Sequence, residues 1–416
     1  MDYLDISLQL SDEDIAIRDA AHKFAAEVLR PVAKDLDKMS AEEGVSSKSP
    51  LWPMLRKAYE LGYHKILLPE AYGGLELTPL QLHLLFEELG WGSLGLAVLI
   101  GVAGFPFFAV SLTGDDELIE RYVVPFCECT DGSIRGCWCG TEPEHGSDIL
   151  YFDDFFRDPK IKGNVQAKLK GKEWIINGQK SAWVSGGSIA THGLTFLQAD
   201  PSKGMAGGGV CVVPFDKSVM RGKPLEKIGQ RDLNQSEVFF DDTRIPKNHM
   251  ITEPDYYPEM VDLILGAANA AMSALATGCA RAAFEEALTY ARERVQGGTH
   301  ITKHTSVRQR LFDMFAKVEA CRALSRAVFN FNFHISPPLT EYSIAAKTRC
   351  TQMCFEVAHE AIQILGGNGL AREYLPEKLF RDARASLVED GLNEMLAAAG
   401  GLTITETYPR SGSDIY

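Results

Sequence analysis

The chain has 416 residues, of which 45% are hydrophobic and 24% charged, and its formal net charge is −14. At roughly 100–200 residues per domain, that length suggests about two or three domains, and the composition excludes a disordered chain. An acidic surface repels phosphate backbones, so no nucleic-acid partner is expected, and a bulky anionic ligand needs a local basic or helix-dipole site. The nine cysteines are odd in number and lie mostly in apolar runs, the pattern of reduced thiols. Two C-x-C pairs, Cys127/Cys129 and Cys137/Cys139, have poor zinc spacing, so no metal is expected. The start, Met1-Asp-Tyr-Leu-Asp, resembles neither a secretory signal nor an Arg-rich transit peptide, which favours a cytoplasmic location.

In chain order, residues 10–130 read mostly as helices. Ser11-Asp-Glu-Asp14 is a capping-box-like start, Leu51 to Gly62 has helical spacing, Pro69 to Gly74 is a turn, and Leu80 to Leu89 is a helix stopped by Gly90. The uncharged stretch from Trp91 to Gly114 is long enough to span a bilayer. Its glycines and Pro106 favour a buried helix ending near Gly104-Phe-Pro106, so no membrane span is expected. From about residue 133 short strand-like runs take over, at 134–139, 165–169, 173–176, 194–198, 209–213 and 236–240, with turns such as Asn177-Gly178 between them. Helical periodicity returns at 258–295, 305–334, 338–365 and 376–399, with breaks at Gly297-Gly298 and Ser336-Pro-Pro338. The small residues from Gly266 to Ala283 suit close helix–helix contact. The expected domains are 1–132 (helical), 133–246 (β) and 247–416 (helical). No G-x-G-x-x-G fingerprint is present.

Four strings in this order resemble the acyl-CoA dehydrogenase family of flavoproteins. They are Thr141-Glu-Pro143 with Gly146-Ser-Asp148; Asn177-Gly-Gln-Lys180 with Trp183-Val-Ser185-Gly186; Gln363-Ile-Leu-Gly-Gly-Asn-Gly369; and Arg381-Asp-Ala383. The resemblance implies an α+β fold with an N-terminal helical domain, a central antiparallel β-barrel-like domain and a C-terminal four-helix bundle. It also implies one FAD per subunit, an acyl-CoA thioester substrate, an electron-transferring flavoprotein as acceptor, and a homotetramer or homodimer. Carried over residue by residue, cofactor contacts fall on Trp138, Cys139, Gly140, Thr141, Ser147, Trp183, Val184, Ser185, Arg294, Gln363, Gly366, Gly367, Asn368, Gly369 and Asn393. Arg294 matches an arginine that reaches a neighbouring subunit's FAD. Substrate contacts fall on Ser147, Asp262, Asn269 and Gly391, with the acyl pocket drawn from Leu82 to Val102 and Val261 to Asn269. Gly-rich backbone and hydroxyls suit a flavin's polar rim, and an indole suits its face.

The family reaction needs a carboxylate to remove the proton α to the thioester carbonyl while a hydride leaves to flavin N5. The position of the usual Glu falls on Asp390, one methylene shorter. Glu389 is the neighbouring alternative, although a helical turn would point it about 100° away. The second position used in some members falls near Ala268 and Asn269, neither of which can act as a base. Leu392 replaces a usual Thr. A shorter acid suggests a branched, alicyclic or functionalised acyl group. An Asp here also resembles the nitroalkane oxidase branch, as do Ser273-Ala-Leu-Ala-Thr-Gly278 and Gly297-Gly298 with His304. The Arg which that branch carries after the Asp is absent from Met395-Leu-Ala-Ala-Ala399. The competing readings are a flavin oxidase using the same Asp and a non-catalytic scaffold.

Overall fold

The computed structural model describes residues 10–408 except 152 and 336; the N-terminal pentapeptide, the tail beyond Tyr408 and part of the Ser336 break fall outside the described residues. The capping box forms as expected. Asp14 N–H donates to Ser11 Oγ (3.1 Å), and Ser11 N–H donates back to the Asp14 carboxylate (3.0 Å), which starts α1 (Asp12–Phe24). Next come α2 (Leu51–Glu60), stopped by Gly62 at φ +78°, α3 (Pro79–Gly92) and α4 (Leu94–Ser111). The expected stop near Gly104-Phe-Pro106 is not observed: α4 carries Pro106 inside it and continues to Ser111. Its surroundings hold the helix across the proline, since almost every residue from Leu94 to Pro106 is buried. Among the described residues, two helical stretches, Leu94–Ser111 and Pro254–Glu293, are long and apolar enough to cross a membrane, and 89% and 83% of their most apolar windows are buried inside the fold.

Eight strands follow: β1 (Gly136–Cys139), β2 (Gln166–Lys170), β3 (Glu173–Ser185), β4 (His192–Gln198), β5 (Gly208–Pro214), β6 (Val219–Arg221), β7 (Gln235–Pro246) and β8 (Met250–Thr252). They form one sheet in the order β6-β7-β3-β2-β4-β5-β8, with β1 added to β4. The expected barrel-like, antiparallel sheet is corrected on two points. The short end strands β6 and β8 do not pair with each other, so the sheet stays open, and β1 runs parallel to β4. Asn177-Gly178 is likewise not a turn. Strand β3 runs through it, with Gly178 at φ +135° and a register shift between Ile176 and Gly178, so the glycine makes a bulge. Cys137 and Cys139 face the same side of β1, both fully buried with their sulfurs 3.6 Å apart, as strand alternation requires. Cys127 lies at a helix end instead, and all nine cysteines are free and buried.

The long helices after the sheet are α5 (Tyr257–Glu293), α6 (Thr305–His334), α7 (Thr340–Leu365), α8 (Leu375–Ser386) and α9 (Asn393–Thr407). The segment read as one helix over 376–399 is thus two, separated by a turn at 387–392. The bundle is also not self-contained, because α5 packs on α3 as well as on α6, α7 and α8. At that crossing a Cβ on Gly278 would lie 1.9 Å from Glu87 O, and one on Gly90 would lie 2.2 Å from Leu275 O. Backbones meet there only because both residues are glycine. One hydrophobic core accordingly joins residues of α1, α3 and α4 to residues of α5, α6 and α7.

Candidate functional site

A cavity of about 1090 Å³ lies between the loop after β1, one end of β3, the 225–230 loop and the turn joining α8 to α9. On its sheet side, Thr141 C=O accepts from Ser181 N–H (3.0 Å), and the two hydroxyls are 2.7 Å apart. A buried ion pair pins this edge: Lys180 Nζ donates to Glu142 Oε1 (2.9 Å) and to Gly140 C=O (2.8 Å), while Glu142 also accepts from Val165 N–H (3.2 Å). Trp183 lies 58% exposed along the cavity. Ser185 Oγ accepts from Gln235 Nε2 (3.0 Å), and Lys227 Nζ donates to Gln235 Oε1 (2.5 Å). Burial lowers Lys227 to about 8, against the pull of Glu389, Asp232 and Asp382.

The opposite wall is the 387–392 turn. Asp390 adopts φ +51° and Gly391 φ +99°. A side chain at 391 is disfavoured by this φ, and its Cβ would also crowd Leu396 Cδ2 at 2.8 Å. Asp390 C=O accepts from Asn269 Nδ2 (3.0 Å), Gly391 C=O from Lys347 Nζ (2.7 Å), and Leu392 N–H donates to Ser147 Oγ (2.8 Å). Among the described residues, the N–H groups of Asp390 and Gly391 have no acceptor, and the Asp390 carboxylate makes neither hydrogen bond nor ion pair. Burial pushes Asp390 up to about 7; the neighbouring Glu389 adds to the rise and Lys347 opposes it. Glu389 lines the same cavity rather than pointing away, because the backbone here is a turn and not a helix. Its Oε2 accepts from Gln230 Nε2 (2.7 Å), its Oε1 is buried without a partner, and burial raises its pKa too.

Of the residues expected at the site, Trp138, Gly140, Thr141, Ser147, Trp183, Ser185, Asp390 and Gly391 line this cavity. Cys139 and Val184 do not; they face the sheet core, as strand alternation dictates. Asn269 and Asn393 sit behind the turn. The first holds Asp390's carbonyl, and the second accepts from Lys347 (2.8 Å) and donates to Thr351 (3.0 Å). Asp262 on α5 is also off the cavity, its carbonyl accepting from Thr340 (3.3 Å). Arg294, Gln363 and Gly366 to Gly369 do not line the cavity of this chain: Arg294 caps α5, and Asn368 donates to the hydroxyls of Tyr290 (3.1 Å) and Tyr374 (3.2 Å). From the expected acyl-pocket segments only Val102 lines the cavity. Val261, Ile264, Leu265 and Ala268 fill an apolar cluster with Ile149, Leu150 and Leu396 beside the turn. Arg381 and Asp382 clamp rather than line: Arg381 pairs with Asp37 (2.7 Å), and Asp382 accepts from Gln230 N–H (2.6 Å).

Sequence reasoning missed Ser181, Lys227, Gln230, Gln235 and Lys347. Only Lys347 left a signal, as a charge set among the apolar positions Ile344, Ala346, Cys350 and Cys354 of one helical face. The cavity fits a flat aromatic ring with a polar rim. Trp138 Nε1 is buried there without a partner, hydroxyls of Thr141, Ser181 and Ser185 sit along one edge, and Trp183 offers an open face.

Family models described as the N-terminal, middle and C-terminal domains of acyl-CoA dehydrogenase match residues 11–130, 137–243 and 263–401. The mitochondrial short-chain specific acyl-CoA dehydrogenase of Rattus norvegicus is 28% identical over 404 residues, covering 95% of this chain and 91% of the relative. Among solved structures, butyryl-CoA dehydrogenase from Megasphaera elsdenii superposes with a TM-score of 0.85 at 24% identity, over 97% of this chain and 100% of that one. An active-site mutant of nitroalkane oxidase crystallised with 1-nitrooctane gives 0.87 at 20% identity, over 98% of each chain, a likeness of fold. With all three domain models matched in order along the chain, this protein belongs to the acyl-CoA dehydrogenase family of flavoprotein oxidoreductases.

Proposed function

We propose that the protein is an FAD-dependent acyl-CoA dehydrogenase whose base is Asp390. The observation that carries this reading is an unpaired carboxylate, raised to about 7, on the cavity wall facing Thr141, Trp183 and Ser185. Bound in this cavity, FAD supplies a hydride acceptor. Asp390 takes the proton α to the thioester carbonyl, and its pKa near neutrality matches the task, since a base works best when its pKa lies near the working pH. The free N–H groups of Asp390 and Gly391 are donors for the thioester oxygen, on which negative charge builds as that proton leaves. The apolar cluster of Ile149, Leu150, Leu396 and Ala268 keeps water from this end. Thr141, Ser181 and Ser185 would offer hydroxyls to a bound flavin, and Trp183 would offer it an aromatic surface. Arg294 and the Gly366–Gly369 loop lie off the cavity of their own chain, which supports an oligomer in which they serve a neighbour's FAD. An electron-transferring flavoprotein is the proposed acceptor.

Asp390→Asn tests the reading. Bleaching of bound FAD by a panel of straight, branched and alicyclic acyl-CoA thioesters under argon should fall by about 10²–10⁴-fold while FAD stays bound. Undiminished bleaching removes Asp390 from the mechanism. If the short acid is tuned to an unusual acyl group, Asp390→Glu changes the order of preference in the panel; an unchanged order contradicts that part. A nitroalkane-type oxidase is the second reading. It is favoured by the Asp together with Lys347, a cation brought beside the turn from α7 where the sequence offers no Arg. Reoxidation of the reduced protein by oxygen within seconds supports the oxidase, and slow reoxidation supports the dehydrogenase.

A further inference from the structure

Three backbone groups on the two consecutive peptide units of the 390–392 turn are each tied to a different element. Asn269 of α5 takes the carbonyl of Asp390, Lys347 of α7 takes that of Gly391, and Ser147 of the loop after β1 takes the N–H of Leu392. Asp390 has a left-handed φ, which is unfavourable for a residue with a side chain, so external bonds must hold it. Two of the three anchors are neutral. The third is a lysine with no exposed surface, whose Nζ also donates to Asn393 Oδ1 (2.8 Å) at the start of α9. A buried ammonium needs partners or a counter-charge. Its two bonded acceptors are both neutral oxygens, and the acids near it are Asp390, Glu389 and Glu394.

We propose that Lys347 is the positioning residue of the base: it fixes the backbone that presents Asp390 and supplies a positive charge behind it. This rests on Asp390 being the base. The groups facing Asp390 are Glu389 from the same turn, Lys347 from α7, and the neutral Asn269 and Ser147 from α5 and the β1 loop. One step out, Glu394 acts on Lys347, and Lys227 and Asp382 act on Glu389. Burial lowers Lys347 to about 8 against the pull of these acids, which leaves it mostly charged at neutral pH. Its charge offsets the rise that burial and Glu389 impose on Asp390.

The experiment compares wild type, Lys347→Met, Lys347→Arg and Asp390→Asn as FAD-loaded holoenzymes, reading anaerobic flavin bleaching across pH. The probe is butyryl-CoA, or the panel thioester that bleaches wild type fastest. Losing the charge should raise the pH midpoint of Lys347→Met by about one unit or more. Its rate should be about tenfold lower at neutral pH and recover as pH rises. A purely structural lysine would lower the rate equally at every pH. Lys347→Arg keeps the charge and should keep the wild-type midpoint. A midpoint unmoved in Lys347→Met, or moved as far in Lys347→Arg, overturns the proposal. If Asp390→Asn bleaches like wild type, the base assignment falls and this proposal with it. If Asp390→Asn is slow while the Lys347→Met midpoint stays put, only the positioning role falls.

Discussion

Glu87 and Glu88 on α3, and Glu389 and Asp390 in the turn before α9, are both pairs of adjacent acids, the first buried and the second half-buried on the cavity wall. Glu87 accepts from Arg322 (2.9 Å) and Arg281 (2.9 Å), with Arg326 at 3.6 Å; Glu88 accepts from Arg281 (2.7 Å) and faces His22 Nδ1 (2.7 Å). Burial alone would raise both, but the arginines overturn it and hold Glu87 and Glu88 below the usual carboxylate range. At the turn burial wins, because Asp390 has no bonded partner and Glu389 only an amide. The same residue types therefore do opposite work: paired, they lock α3 to α5 and α6; unpaired, they leave a proton acceptor poised near neutrality.

The largest effect expected from breaking this contrast is on stability. Glu87→Gln removes the buried carboxylate that Arg322, Arg281 and Arg326 share and should lower the free energy of urea unfolding by about 3–5 kcal/mol. Glu87 is depressed in the fold, so its contribution is present above the ordinary carboxylate pKa and is lost as pH falls through the depressed value. The gap to wild type should therefore narrow in acid. A gap that stays constant from neutral to acid pH would mean the glutamate is not held as an anion.

A smaller effect is expected at the Ser147 anchor of the turn. Ser147→Ala leaves Leu392 N–H unpaired, for about 1–3 kcal/mol, and should slow flavin bleaching by about tenfold through misplacement of Asp390. FAD absorbance should be retained. Full activity in this variant would show that the turn holds itself.

The smallest effect has the opposite sign to that of Glu87→Gln. Asp390 is raised, so the folded state holds an extra proton between the ordinary carboxylate pKa and about 7, and stability falls as pH rises through that window. Asp390→Asn removes the penalty. It should melt about 1–3 °C above wild type at mildly alkaline pH, with no difference near pH 4. A variant less stable than wild type at alkaline pH would mean Asp390 is paired in solution.

Much of this arrangement is legible in the sequence, for identifiable reasons. The capping box at Ser11 and the small-residue face at Gly278 are local signals, and each lands where local chemistry puts it, while positions 141, 183 and 185, named by resemblance, line the cavity. The break at 387–392 carries one local signal, the Asp390-Gly391 turn dipeptide, which the helical reading of 376–399 passed over, and its exact path is imposed by Asn269, Lys347 and Ser147 from far along the chain. Asn177-Gly178 misleads in the other direction, since pairing with β7 absorbs the glycine as a bulge. Asn269 and Asn393 are found by resemblance but stand one layer behind the cavity, a distinction only packing makes.

The central claim is that an unpaired Asp390 is the base. Its most direct test is the rate of anaerobic flavin bleaching by an acyl-CoA thioester against pH, in wild type and Asp390→Asn. The account predicts a wild-type rate that climbs about tenfold per unit below about pH 7 and levels above it, and a variant that is slow and lacks this limb. A wild-type rate independent of pH across neutrality, or a variant that keeps the limb, would contradict it.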